Sequence, residues 1–160
     1  MRNTRLRHAD DPILIWRGSS SVGQHALQIL SYYGYRNLIA TASASHHQLL
    51  QSFGANKVFD YKKADATAQI PAFAKSLART GPAIPFVLDC IGSKSGTLAP
   101  IANIVQTGTK VAVLLPVIVR DASDTVASEY SMDTQASANW TEGVIVTGVR
   151  THFYLNASHM

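Results

Sequence analysis

The sequence predicts a single α/β domain built on a doubly wound parallel sheet. Short apolar runs alternate with segments whose apolar residues recur at helical spacing, which is the pattern of strands and helices in turn. A turn of glycine and serine at 17–23 joins the first strand pattern to the first helix pattern. With 160 residues, 46% of them hydrophobic, the chain is sized for one domain with a substantial core. Right-handed crossovers between such strands place helices on both faces of the sheet.

The predicted strands are apolar runs bounded by glycine, proline or polar turns. They are Pro12–Trp16, Leu38–Ala42, Lys57–Phe59, Ile84–Ile91, Lys110–Leu115 and Gly143–Val149, with Phe153–Leu155 expected to continue along the sheet edge. The predicted helices show apolar residues at helical spacing. They are Val22–Tyr33, His46–Phe53, Ala64–Arg79 and Ser95–Val105. We expect Pro71 to make the start of the third helix irregular.

The expected domain organisation is one dinucleotide-binding domain between short ends. Residues 1–11 are predicted to form a polar N-terminal tail, and residues 12–156 the domain itself. Within the domain, the stretch at about 120–142 is polar and acidic, and we expect a long loop from Arg120 to Thr141 without regular structure. We expect residues 157–160 to be a vector-derived end.

Charge and composition exclude several classes of function. The net charge is +4, and residues 11–120 hold ten Lys and Arg against four Asp and Glu, which suits an anionic ligand. These bases are scattered and lack interleaved aromatic residues, so we expect no nucleic-acid partner. The sequence has no apolar run long enough for a membrane span, and its first residues are too polar for a signal peptide. The single cysteine, Cys90, is compatible with a reducing compartment, so we expect a cytoplasmic protein.

The turn after the first strand has the spacing of a phosphate-binding loop. In Gly18-x-Ser20-x-x-Gly23 the residues are small enough for a tight turn, for close approach of phosphates and for packing of the helix on the strand. The alternative is an ordinary turn that uses small residues only for packing. A nucleophile elbow is excluded because Val22 stands where that motif needs glycine. The long side chain of Arg17 can either clamp a phosphate or fill the space beside it.

The residues after the second predicted strand indicate NADP(H) rather than NAD(H). An NAD site needs an acidic residue there to accept from the ribose hydroxyls, whereas no Asp or Glu occurs from Pro12 to Phe59. Ser43 and a neighbouring histidine, His46 or His47, can donate to a 2′-phosphate. The alternative for the histidines is a solvated helix start. Adjacent histidines in a helix point in different directions, so we predict no metal site.

Several segments carry a resemblance to a known family. They are Ile13–Gln24, Ala40–Ser43, Leu50–Ala55, Val58–Tyr61, Leu88–Gly92, Gly108–Val111 and Leu114–Pro116. Together they resemble the cofactor-binding domain of the medium-chain dehydrogenase/reductase superfamily. The similarity is greatest to its zinc-independent quinone reductases and fungal trans-acting enoyl reductases.

The resemblance implies that particular residues face the cofactor. These are Ser20, Ser21 and Val22 at the pyrophosphate, Ser43 and Tyr61 at the adenosine 2′-phosphate, Cys90 and Ile91 along the cofactor, and Leu115 and Pro116 near the nicotinamide. It also implies that Phe153–Leu155 passes close to the nicotinamide or forms a dimer edge. The chain departs from the family pattern at several points, two of which bear most directly on the cofactor and on catalysis. Arg17 replaces a glycine, and only Met1–Asp11 precedes the first strand, where the family carries a catalytic domain.

The expected function is that of the NADP(H)-binding domain of an oxidoreductase that transfers hydride to an activated alkene or a quinone. We predict no catalytic acid, base or nucleophile beside the loop, so the chain alone should be a poor oxidoreductase. One alternative is a truncated, non-catalytic binding or interaction module. Another is recruitment for a non-redox step in polyketide-type biosynthesis. The expected partner is a second copy joined through the last strand, or a protein that replaces the missing catalytic domain.

Overall fold

A computed structural model describes residues 7–78 and 80–150, and it contains two sheets. The strands are β1 (Ile13–Trp16), β2 (Leu38–Thr41), β3 (Lys57–Phe59), β4 (Phe86–Asp89), β5 (Lys110–Leu115), β6 (Val117–Arg120), β7 (Glu129–Ser131) and β8 (Ile145–Arg150). The helices are α1 (Ser21–Tyr32), α2 (His47–Ser52), α3 (Ala66–Leu77) and α4 (Ala99–Ile104). A 3₁₀ turn at Ala44–His46 precedes α2, and a π-helical turn at Lys94–Leu98 precedes α4.

The main sheet has six parallel strands in the order β3-β2-β1-β4-β5-β8. The chain winds outward from β1 to β3, crosses over, and winds outward again from β4 to β8. The order therefore reverses between β1 and β4, where Ile15 lies between Ala40 and Leu88. In open α/β sheets ligands bind at the carboxyl ends of the strands beside such a reversal. The predicted doubly wound fold is confirmed.

Two apolar clusters fill the two faces of the sheet, because successive strand residues point to opposite sides. On one face, Leu14 and Ile39 pack with residues of α3 and α4 such as Ile70. On the other face, Ile15 packs with Leu27 of α1 and with residues of α2. The expectation of helices on both faces is therefore confirmed.

The helices and strands differ from their predicted bounds mainly at the ends, where local pattern is weakest. The bounds of β3 and β5 match the prediction, whereas the strand predicted at Ile84–Ile91 is limited to Phe86–Asp89. The expected effect of Pro71 is wrong: α3 begins at Ala66 and contains Pro71 in its interior.

The acidic segment predicted as a loop contains regular structure. Strand β7 pairs antiparallel with β6, bringing Ile118 opposite Tyr130. The segment continues as a set of turns in which Trp140 Nε1 donates to the carbonyl of Thr134 at 2.9 Å. The prediction of a loop without regular structure is therefore wrong. Strand β7 is exposed and forms by pairing with β6, so its residues show no local apolar alternation that would predict a strand.

The ends of the chain lie mostly outside the described residues, including Phe153–Leu155 and 157–160. The start of the described part is attached to the domain, since the Arg36 N–H donates to the carbonyl of Ala9 at 3.0 Å. In the described ranges no helix has the length and apolar character needed to cross a bilayer.

Candidate functional site

The predicted site residues follow five neighbouring strands at one edge of the sheet. Carboxyl ends of parallel strands meet at the same edge, so residues far apart in the chain come together there. The residues after each strand are Gly18, Ser20, Ser21, Val22 and Gly23 after β1, Ser43 and His46 after β2, Tyr61 after β3, Cys90 and Ile91 after β4, and Pro116 after Leu115, the last residue of β5.

The turn after β1 is tied to the end of β2 and then caps α1. The Gly18 N–H donates to the carbonyl of Thr41 at 2.8 Å, which holds the turn against the neighbouring strand. Ser20 is the N-cap of α1, and its Oγ accepts from the Gly23 N–H at 3.1 Å. A serine with extended backbone is a favourable N-cap because it satisfies one of the unpaired amides of the first turn.

The two loop glycines are required by packing inside this unit. A Cβ atom at Gly23 would lie 2.6 Å from the Cα of Gly18 and 2.8 Å from the carbonyl of Arg17. A Cβ atom at Gly18 would lie 3.1 Å from both Ala40 and Leu50. Gly23 therefore allows α1 to approach the turn closely, and Gly18 allows the turn to pack against Ala40 and Leu50.

The first turn of α1 presents backbone donors that the protein does not use. Within the described residues, the N–H groups of Ser21 and Val22 have no acceptor. Val22 is exposed, and the positive end of the helix dipole adds to the potential at this point. Such a helix N-terminus can bind an anion such as a phosphate.

Arg17 and Tyr61 are in contact at the ends of β1 and β3. The Arg17 guanidinium carbon lies 3.7 Å from the centroid of the Tyr61 ring. The Tyr61 hydroxyl in turn lies 3.4 Å from Ser43 Oγ. Sequence reasoning singled out all three residues, but it did not show that Arg17 lies over Tyr61, because no local pattern joins them.

The two histidines after β2 are in different environments. His46 ends the 3₁₀ turn, and its side chain is exposed. His47 Nε2 is 3.0 Å from the carbonyl of Ala42, so its imidazole binds the backbone. His46 is therefore the more exposed of the two histidines to an approaching ligand. Among the described residues, no three His, Cys, Asp or Glu side chains are grouped closely enough to hold a metal ion.

Asp89 organises the turn after β4. The side chain is fully buried, Oδ2 accepts from the Thr97 hydroxyl at 2.6 Å, and Oδ1 accepts from the Ile91 N–H at 3.1 Å. Burial raises the pKa of Asp89, and these hydrogen bonds act in the opposite direction. No local sequence pattern joins Asp89 to Thr97, which lies in the π-helical turn before α4.

Cys90 lies beside Asp89 and is buried. Burial, followed by the nearby charge of Asp89, raises the pKa of the Cys90 thiol to about 12. A thiolate is the reactive form of cysteine, so this side chain is a protonated thiol at neutral pH and not a nucleophile.

The end of the site beyond Cys90 is apolar. Ile91 is exposed, Leu115 is buried, and Pro116 follows Leu115 through a cis peptide bond. Gly92 brings the turn after β4 close to the end of β5, since a Cβ atom there would lie 2.2 Å from the carbonyl of Leu114. Ile91 and Pro116 therefore flank the same part of the sheet edge.

Comparison with known proteins finds relatives among reductases. No protein-family model matches the chain. The trans-enoyl reductase mpsG of Macrophomina phaseolina is 31% identical over 141 residues, which cover 87% of this chain and 35% of the relative. Across the first eight relatives in sequence, the chain spans only 20% to 35% of their length.

Solved structures share the fold. A mutant form of enoyl thioester reductase from Candida tropicalis superposes with a TM-score of 0.62 at 14% identity, covering 98% of this chain and 41% of that one. E. coli K-12 YhdH with bound NADPH superposes with a TM-score of 0.54 at 20% identity, covering 89% of this chain and 38% of that one.

The chain is thus an α/β protein with an oxidoreductase-type fold. More particularly, its resemblance to the cofactor-binding part of the medium-chain dehydrogenase/reductase superfamily is confirmed, with trans-enoyl reductases among its relatives in sequence.

Proposed function

We propose that this chain binds NADP(H) and serves as the cofactor-binding domain of an oxidoreductase that transfers hydride to an activated alkene or a quinone. The observation that supports this most directly is the turn after β1. It combines a close helix approach at Gly23 with unused backbone donors at Ser21 and Val22. Every α-helix leaves such donors in its first turn, so the position of the turn supports the proposal further: it lies at the carboxyl end of β1, beside the reversal of strand order between β1 and β4.

The proposed pyrophosphate position is over the start of α1. Ser21 and Val22 would donate their N–H groups to phosphate oxygens. Ser20 Oγ accepts from the Gly23 N–H, and its hydroxyl lies within hydrogen-bonding reach of the Cys90 thiol at the next strand end. Ser21 and Val22 are both exposed residues.

The proposed choice of NADP(H) depends on the end of β2. NAD sites use a carboxylate at that end, and no Asp or Glu occurs between Pro12 and Phe59. Ser43, Tyr61 and exposed His46 stand there instead and can donate to a 2′-phosphate. The NADPH bound to YhdH, which shares the fold, supports this choice as well.

At the nicotinamide end, Ile91, Leu115 and Pro116 would form an apolar wall, with the Cys90 thiol beside it. The nicotinamide, when bound, supplies or accepts the hydride, whereas these residues position the ring and limit water access. The protonated state of Cys90 places no charge against the ring. The name trans-enoyl reductase in the relatives supports an activated alkene as the acceptor.

Isothermal titration of the whole chain with NADPH and with NADH tests the proposal. We expect NADPH to bind with a Kd below about 100 µM, and Gly23→Ala to weaken that binding by roughly tenfold because the turn must shift to admit the methyl group. Gln28→Ala, on the exposed side of the same helix, is the matched control and should bind like wild type. Absence of binding by either nucleotide at millimolar concentration would contradict the proposal.

A binding or interaction module is the second candidate, and one observation favours it. On the face that carries α1, an open apolar groove of about 240 Å³ runs over β4 and β5, with Phe86, Leu88 and Ala112 in its lining. Exposed apolar surface of this kind is typical of interaction sites. A folded chain that binds neither nucleotide would favour this module, or the recruited non-redox role in polyketide-type biosynthesis, over the reductase domain.

A further inference from the structure

Arg17 has a backbone conformation that L-residues rarely adopt. Its φ is +62°, in the left-handed region where glycine is favoured. Strained conformations of this kind persist where surrounding contacts hold them, and they occur frequently at ligand sites. The Arg17 N–H donates to Thr41 Oγ1 at 2.9 Å, which fixes the residue to the end of β2.

Within the described residues, the Arg17 side chain forms no salt bridge. Its guanidinium carbon lies over the Tyr61 ring, 3.7 Å from the centroid. Nε is buried and has no acceptor in the described ranges. Asp89 lies near enough for Arg17 to lower its pKa slightly, but the Asp89 oxygens are bonded to Thr97 and Ile91.

The groups on the Tyr61 side of this guanidinium are two hydroxyls and a lysine, together with the carboxylate of Asp60. Ser43 Oγ and the Tyr61 hydroxyl are 3.4 Å apart, and Lys62 Nζ lies 6.0 Å from the Tyr61 ring centroid. The neighbouring carboxylate, Asp60, accepts from the Lys62 N–H at 3.0 Å. A cation with a buried unsatisfied donor, beside two hydroxyls, is suited to a dianionic phosphate that can accept several hydrogen bonds.

We propose that Arg17 is the specificity-determining residue that recognises the 2′-phosphate of the adenosine nucleotide, with Tyr61 as the platform that orients its guanidinium. The inference rests on the proposed function, because it assigns one residue within the NADP(H) site. It decides between the two roles that Arg17 can have in the turn: the side chain clamps a phosphate and does not obstruct the nucleotide.

Titration of the whole chain with NADPH and NADH, on wild type and two Arg17 variants, tests the assignment. Arg17→Met keeps the length of the side chain and removes its charge. Arg17→Gly removes the side chain and suits the positive φ, so the fold is retained in at least this variant. Arg120→Met removes the same charge from a distant arginine that is paired with Glu129. The readout is the ratio of the two dissociation constants, and a thermal melt of each variant confirms folding.

We expect both Arg17 variants to lose about 10- to 100-fold in NADPH affinity while their NADH affinity changes by less than about threefold. Arg120→Met should keep the wild-type ratio. If wild type prefers NADPH and both Arg17 variants keep that preference, the assignment is overturned while the proposed function stands. If removal of the side chain strengthens the binding of both nucleotides equally, Arg17 obstructs the site and the assignment is overturned. If wild type binds neither nucleotide, the proposed function fails and the assignment fails with it.

Discussion

Asp89 is a fully buried charged residue, and its carboxyl group holds the turn after β4 through hydrogen bonds. Thr97 and Ile91 donate to its two oxygens, and the side chain has no solvent exposure. Burial raises its pKa above the ordinary value of 3.8. The carboxyl is therefore more easily protonated in the folded chain than in the unfolded chain. Its contribution to stability is fully present below pH 3.8 and is lost as the pH rises through the raised pKa.

Replacing Asp89 separates its charge from its hydrogen bonds. Asp89→Asn removes the free-energy cost of ionising a buried carboxyl group. We therefore expect the variant to gain stability relative to wild type as the pH rises from about 4 to 7. In Asp89→Ala the Ile91 N–H loses its acceptor and the Thr97 hydroxyl keeps only the carbonyl of Ser93, at a cost of about 1–3 kcal/mol. Urea unfolding at several pH values measures both effects.

The matched control for Asp89→Asn is Asp121→Asn, which removes an exposed carboxylate. Its stability should follow the wild-type pH dependence. A difference between Asp89→Asn and wild type that does not change with pH would show that the carboxyl has no raised pKa in the folded chain.

At the scale of the element, α3 shows how packing overrides local preference. Pro71 lies in the interior of the helix, where it lacks an N–H for the carbonyl of Thr67, one turn earlier. Ile70 and Ala74 are fully buried against the sheet and retain the helix in spite of this loss. Burial of an apolar face supplies most helix stability in proteins, so one proline need not end a helix.

Pro71→Ala should stabilise the chain by about 1–3 kcal/mol, because it restores a hydrogen bond and removes a steric clash in the helix. Equilibrium unfolding in urea measures the change. The adjacent exposed residue supplies a control of opposite sign, since Ala72→Gly should destabilise by about 1 kcal/mol. Unchanged or reduced stability in Pro71→Ala would mean that the packing of α3 requires the proline ring.

The elements also show the limits of local pattern. The bounds of β3 and β5 follow from apolar runs between turn residues, and the prediction matches them. Strand β7 carries no such run; its residues become a strand only because β6 lies beside them. Local periodicity reports burial of one face, whereas strand pairing depends on a partner elsewhere in the chain.

At the scale of the molecule, β8 is the edge of the six-stranded sheet as described. The Ile145 N–H donates to the carbonyl of Thr109 at 2.9 Å, toward β5. In a parallel pair the N–H groups of alternate residues face the same neighbour, so the Val146 N–H is directed away from β5. An edge with such groups can pair with a second copy, and we propose a homodimer through β8.

Val146→Pro tests this homodimer. Proline removes an N–H that is not used in the sheet, so the fold should persist while edge pairing is blocked and the dimer dissociates to monomers. Size-exclusion chromatography with light scattering measures the mass. Val146→Ala keeps the N–H and should remain dimeric. A wild-type monomer, or a dimer of unchanged mass in Val146→Pro, would exclude this edge as the contact.

Local sequence is sufficient to predict the alternation of strands and helices, the small-residue turn after β1 and the acid-free stretch that favours NADP(H), because each is a property of neighbouring residues. Which side chains meet depends on the folded sheet. Arg17 contacts Tyr61, and Asp89 contacts Thr97, only because parallel strands bring their carboxyl ends to one edge. The turn that sequence alone marks as a phosphate loop thus gains, in three dimensions, a cation fixed over an aromatic ring.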